Sequence, residues 1–220
     1  GGFTWNKEKL PKGIHTLDEL FAPANKGKIE VLTELRDTVG VIMLAQGVDI
    51  TKFTKDQYFN ALDFLQKKIA DGFIRQVKGN DYKEDLISGD AVAVIGWSGD
   101  AFQLAAENDG KFEFAIPESG GTISADNFII PSTSKNKANV EKLINYYYEP
   151  EVAAKVAAYV NYITPVQGAQ AAMEKVDPTL VNNELIFPTA KTQSMLHVFR
   201  NLTPAEETEF TDAFQKATGN

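Results

Sequence analysis

Two stretches of this 220-residue chain hold side chains fit for chemistry. "IGWSGDAF" places Trp97 and Asp100 just after an apolar run. "ESGGTISADNFIIP" places Ser124 and Asp126 within a stretch that reads as a strand. Upstream, "VLTELRD" sets Glu34 and Asp37 three residues apart, and "NYITP" holds Tyr162 in a loop after a helix. An indole beside carboxylates suits three tasks: binding a cation, holding a hard metal ion, or paired acid catalysis. Each residue also has a plainer role. Trp97 fits a core, Asp100 fits the start of a helix, and Glu34 and Asp37 suit a first helical turn, where the helix N-terminus favours negative charge. Asp126 in an apolar strand requires a partner. Tyr162 fits half-buried packing.

The elements that position these residues follow from periodicity and capping. "GGFTWN" alternates as a strand, with Phe3 and Trp5 on one face. Thr16 and Glu19 form a capping box for a short helix, and Thr203 and Glu206 form a second, with Pro204 at the first helical position. "KGKIEVLT" predicts a strand from Ile29 to Leu32, after which Thr33 caps a helix running to Gln46 and stopped by Gly47. On that helix Glu34 and Asp37 share a face. Phe59, Leu62, Leu65 and Ile69 mark an amphipathic helix that ends at Gly72. "AVAVIG" is a continuous apolar run and predicts a strand covered on both faces. "FEFAIP" and "ISADNFIIP" predict further strands. From Lys137 onward helix follows helix. Strands alternating with helices, then a helical tail, predict an α/β protein. Trp97 and Asp100 then fall beyond the carboxyl end of a strand, where open α/β sheets bind ligands.

Composition narrows the functions. Hydrophobic residues make up 43% of the chain and charged residues 24%, enough apolar material for a core. A net charge of −8 argues against a nucleic-acid partner. The absence of cysteine excludes disulfides, thiolate metal sites and cysteine nucleophiles. His15 and His197 are isolated and lack metal-ligand spacing. No catalytic, dinucleotide or phosphate-loop motif is present, so neither a metal nor a cofactor is expected. The chain opens without Met or a signal peptide.

Taken in order, "GGFTWNKEKL", "TLDELFAPANKGKIEVLTELRD", "IGWSGDAF", "IPESGGTISADNFIIPSTSKNKANVEKLINYYYEPEVAAKVA" and "NYITP" resemble the spermidine/putrescine-binding proteins of bacterial ABC importers. The likeness spans essentially the whole chain. It implies a two-lobed periplasmic binding protein fold of type II, closing on its ligand at a hinge. It also implies a location on the extracytoplasmic side of the cell membrane, a small cationic ligand and a membrane permease as partner. Aromatic side chains would box the ligand's methylene chain, and carboxylates would pair with its ammonium groups. This carries onto Trp97, Asp100 and Asp126, and onto Glu34, Asp37 and Tyr162.

Two departures stand out. The family's usual aromatic two residues before the aspartate matching Asp126 is Ser124 here, so one wall of the box is missing or supplied elsewhere. Arg36 is compatible with a carboxylate-bearing ligand as well as with an amine. The family also carries a half-lobe before "GGFTWN". By that mapping, residues 1–121 form lobe two, and residues 122–220 form a hinge strand and the helical C-terminal part of lobe one. Helices from Lys137 onward would then lack the sheet they cover, which calls for a longer protein or for a dimer or domain swap. A carboxylate-dependent hydrolase and an oligomerising fragment are the alternatives.

Overall fold

A computed structural model describes residues 1–219. The chain divides into two compact units: residues 1–124 together with the stretch from Ser194 onward, and residues 125–193.

The first unit is built on a five-stranded mixed sheet. In chain order its elements are β1 (Gly2–Asn6), α1 (Leu17–Leu20), β2 (Ile29–Leu32), α2 (Leu35–Ala45), α3 (Lys55–Ala70), β3 (Ile74–Lys78), α4 (Tyr82–Ser88), β4 (Ala93–Gly96), α5 (Ser98–Glu107), β5 (Phe112–Ala115) and the two-residue β6 (Gly121–Thr122). Strand order is β3-β2-β4-β1-β5. β2 runs parallel to β3 and β4, whereas β1 lies antiparallel between β4 and β5.

Side chains alternate across this sheet, as strand geometry requires. Phe3, Trp5, Ile29, Val31, Ala93 and Ile95 face one core, which α1, α2 and α3 cover. Leu32 and Val94 face a second, smaller core with Tyr82, Leu86, Leu104 and Phe112 from the α4 and α5 side. The "AVAVIG" strand is thus buried on both faces. α2 is buried nearly all round, from Asp37 through Leu44, as befits a helix inside the fold. On α3 the buried stripe is Tyr58, Ala61, Leu62 and Leu65, so Phe59 and Ile69 flank the inward face. Capping boxes at Thr16, Thr54 and Thr203 fix three helix starts.

The second unit holds α6 (Lys137–Tyr147), α7 (Pro150–Val160) and α8 (Ala169–Val176), and ends within α9 (Ala190–Ser194). Its core is small: Ala153, Ala154 and Ala157 of α7 with Ala169, Met173, Leu180 and Ile186. None of the described residues of α6 is buried. Leu143 is 65% exposed, Ile129 82% and Tyr159 84%.

The chain then returns to the first unit through β7 (Leu196–His197), parallel to β6, and α10 (Pro204–Thr218). The tail packs on α3. Phe210 stacks on Tyr58 with ring centroids 3.9 Å apart and accepts the Tyr58 hydroxyl at its carbonyl. Arg200 sits over the Phe53 ring, donates to the Phe53 carbonyl and pairs with Glu206 at 2.6 Å.

One charge is buried in the sheet. Glu30 of β2 is fully shielded from solvent and faces α4. Its Oε1 accepts from Arg75 of β3 at 2.8 Å, while Oε2 is buried with no hydrogen-bond partner. Arg75 also donates to Asp85 and Asp90, and Lys78 reaches Asp85 at 2.5 Å. Burial, reinforced by neighbouring Asp85 and opposed by Arg75, pushes the Glu30 carboxyl up to about 7.

Candidate functional site

The parallel neighbours β2 and β4 end side by side at Leu32 and Gly96, and each leads directly into a helix. α2 is capped at Glu34 and α5 at Trp97. Four of the residues singled out in the sequence are therefore brought to one end of the sheet: Glu34, Asp37, Trp97 and Asp100. This is where an α/β sheet places ligands.

Asp37 is buried in the first turn of α2. Its Oδ2 accepts the Trp97 indole N–H at 2.8 Å. Its Oδ1 accepts a hydrogen bond from the hydroxyl of Thr122 on β6. Gly40, one turn along α2, makes room for this strand: a Cβ there would lie 2.9 Å from Thr122 Cγ2. The carboxylate thus spans two elements far apart in sequence, with both oxygens engaged.

Asp100 is also buried, in the first turn of α5. Asn80 donates to its Oδ2 at 2.9 Å, the Tyr82 hydroxyl to the same oxygen at 3.1 Å, and Lys83 to Oδ1 at 3.4 Å. Tyr82 also accepts the Trp97 backbone N–H at 3.3 Å, so α4 supports the whole turn. Trp97 itself is half-buried and lies at a tilt to the Tyr82 ring, centroids 6.4 Å apart. Sequence reasoning missed Thr122, Asn80, Tyr82 and Lys83. Thr122 lies 85 residues from Asp37, and no local pattern links them.

Glu34 and Asp37 do not share a face. Glu34 is exposed and caps α2 with extended backbone, φ −83° and ψ 107°, so helical spacing does not reach it. Thr33 does not cap the helix: it precedes the cap residue Glu34, and its N–H pairs with the Lys78 carbonyl at the end of β3. Ser124 is exposed at the end of the first unit. Asp126 and Tyr162 belong to the second unit. Asp126 is exposed and outside any strand, which corrects the expectation of a buried charge in "ISADNFIIP": regular pairing in that stretch stops after Thr122. Tyr162 is half-buried in the loop after α7, next to an open 260 Å³ pocket lined by Ile163, Thr164, Ile186 and Phe187. Arg36 pairs with Glu207 of α10 at 2.5 Å. Among the described residues, no group of three or more His, Asp or Glu is arranged to hold a metal ion.

A family model described as bacterial extracellular solute-binding protein matches residues 1–188. The chain belongs to this family. Bacterial extracellular solute-binding proteins are binders rather than enzymes, and the hydrolase alternative finds no support among them. One relative is the putrescine-binding periplasmic protein PotF of Escherichia coli, 26% identical over 229 residues that take in 98% of this chain and 61% of PotF. The spermidine/putrescine-binding periplasmic protein of the same organism is 27% identical over 185 residues, 83% of this chain and 51% of the relative. A solved structure of a putative spermidine/putrescine ABC transporter from Listeria monocytogenes superposes with a TM-score of 0.86 at 28% identity, over 98% of this chain and 65% of that one. The fold is that of the periplasmic binding proteins. The chain spans between 51% and 61% of the length of these two curated relatives. Among the described residues, no helix is long and apolar enough to cross a membrane.

Proposed function

We propose that this chain is the solute-binding part of an ABC importer, acting on the extracytoplasmic side of the membrane. Its ligand is a polyamine such as putrescine or spermidine, which it delivers to a membrane permease. One observation carries the reading most of the way. Trp97 stands at the carboxyl end of β4 with its N–H already taken by Asp37. What the indole has left to offer is an apolar ring, the surface a methylene chain packs against, and a ring that also attracts ammonium groups. Exposed Glu34, at the same end of the sheet, supplies negative charge, and the net charge of −8 favours a cation. Relatives are named for putrescine and spermidine binding. By the family resemblance, Asp126 and Tyr162, both on the second unit, are further candidates for ligand contact.

Isothermal titration of the chain with putrescine, spermidine and glutamate tests the reading. We expect saturable binding of an amine and none of glutamate. Asp126→Asn should weaken amine binding by roughly 1–3 kcal/mol, the worth of a charge-assisted hydrogen bond. A folded chain that prefers glutamate, or takes neither amine, would sink the proposal.

A second reading concerns assembly. The exposed Leu143, Tyr146 and Tyr148 on and beside α6 favour cover by a second copy, as a dimer or a domain swap. Sedimentation over a wide concentration range tests this, and a constant monomer mass would rule it out.

A further inference from the structure

Asp37 has the look of a ligand-binding acid in the sequence, yet its surroundings assign it a different part. It is buried, one oxygen holds the Trp97 indole N–H at 2.8 Å, and the other holds the Thr122 hydroxyl. Both acceptor atoms face protein donors. Thr122 lies on β6, the strand from which the chain leaves the first unit. We infer that Asp37 is a positioning residue: it fixes the orientation of the Trp97 ring against β6 and acts on the ligand only through that ring. This rests on the reading of Trp97 as the ligand's stacking surface.

The physical argument is one of preorganisation. A half-buried indole on the first residue of a helix turn has two free side-chain torsions. A charged acceptor at one edge of the ring removes that freedom before the ligand arrives, so less ordering remains to be done on binding. A carboxylate does this better than an amide, because a hydrogen bond to an ionised acceptor is shorter and stronger than a neutral one. Thr122 in turn locks the carboxylate, so its rotamer is set by the fold rather than by the ligand.

The test uses the full chain with Trp5→Phe, which leaves Trp97 as the one indole. Emission wavelength and acrylamide quenching of Trp97 are compared with and without Asp37→Asn, in the absence of ligand. We expect a shifted emission and easier quenching in the variant. Unchanged spectra would overturn the clamp whether or not any amine binds, so this arm is independent of the proposed function. If no amine binds while the spectra do shift, the clamp stands and the functional reading fails.

The second arm is a double-mutant cycle on putrescine affinity with Trp97→Phe, which installs a ring that cannot donate. Acting through the indole, Asp37→Asn should weaken binding by about tenfold when Trp97 is intact and hardly at all when Trp97→Phe is already present. Equal losses in both backgrounds would make Asp37 a direct ammonium partner. Should Asp37→Asn fail to fold, Thr122→Val releases the same carboxylate from the other side and gives the same spectral readout.

Discussion

The two units of this chain bury apolar surface in different ways. The first folds around a sheet, with large side chains on both faces and rings such as Phe3, Tyr58 and Phe210 wholly enclosed. The second has no sheet among its described residues. Its core is a seam of alanines on α7 against Ala169 and Met173, and its large side chains point outward at Ile129, Leu143 and Tyr159. Both stretches read as apolar in the sequence. The difference shows that apolar residues become a core only when a complementary face is present, and that helices with periodic patterns form regardless. It follows that the first unit carries its own stability, while the second has surface to spare.

This contrast can be broken most directly at Tyr58 and Phe210. Phe210→Ala removes a wholly buried ring from a stacked pair and should cost about 3–5 kcal/mol in urea unfolding followed by Trp fluorescence. A loss below about 1 kcal/mol would mean that the first unit does not depend on α10.

Glu30 gives a smaller effect with a defined direction. In the folded chain its carboxyl titrates near 7, against 4.5 when unfolded. Between these values the folded state binds more protons than the unfolded one. Stability is therefore greatest on the acid side of this window and falls as pH rises toward 7, by up to roughly 3 kcal/mol. The groups acting on Glu30 are Arg75 and Lys78 on β3 and Asp85 on α4, and Arg75 also pairs with exposed Asp90. The Lys78 ammonium, ahead of Arg75, holds Asp85 below its usual 3.8, so the Asp85 contribution is lost only at lower pH. Denaturation curves from about pH 5 to about pH 7.5 should slope downward in the native chain and flatten in Glu30→Gln. Parallel curves would show that Arg75 keeps Glu30 ionised.

The smallest effect is expected in the second unit. Leu143→Ser alters a side chain already 65% exposed and should change stability by no more than about 0.5 kcal/mol. That is the expectation for the single chain; a loss of about 2 kcal/mol or more, read in the same urea experiment, would show that α6 is covered, as the dimer or domain swap proposed above requires.

Much of this was legible in the sequence. Capping boxes at Thr16 and Thr203 are written in four residues each, and both stand. The apolar run ending in Gly96 announced a doubly covered strand, and with it the position of Trp97 and Asp100 beyond the strand's end. Partners were not legible. Asp37 and Asp100 have the chemistry of ligand acids, but what they touch is set by Thr122 and by α4, at separations no periodicity spans. "ISADNFIIP" failed for the same reason: a strand needs an edge to pair with, and composition shows the appetite without the partner. Glu30 went unnoticed because a single acid in a short strand looks like the solvent side of an alternating pattern.

The stacking of Phe210 on Tyr58 has a consequence for the order of events when the chain is made. The sheet of the first unit can assemble once β5 has emerged, but the part of α3 that meets α10 stays bare while residues 125–193 follow. A polypeptide growing at roughly 5–20 residues per second leaves that face uncovered for many seconds. Contacts this distant in sequence are also slow to close. The nascent chain therefore passes through a stage in which Tyr58 and Phe59 are available to chaperones, and only the arrival of α10 withdraws them.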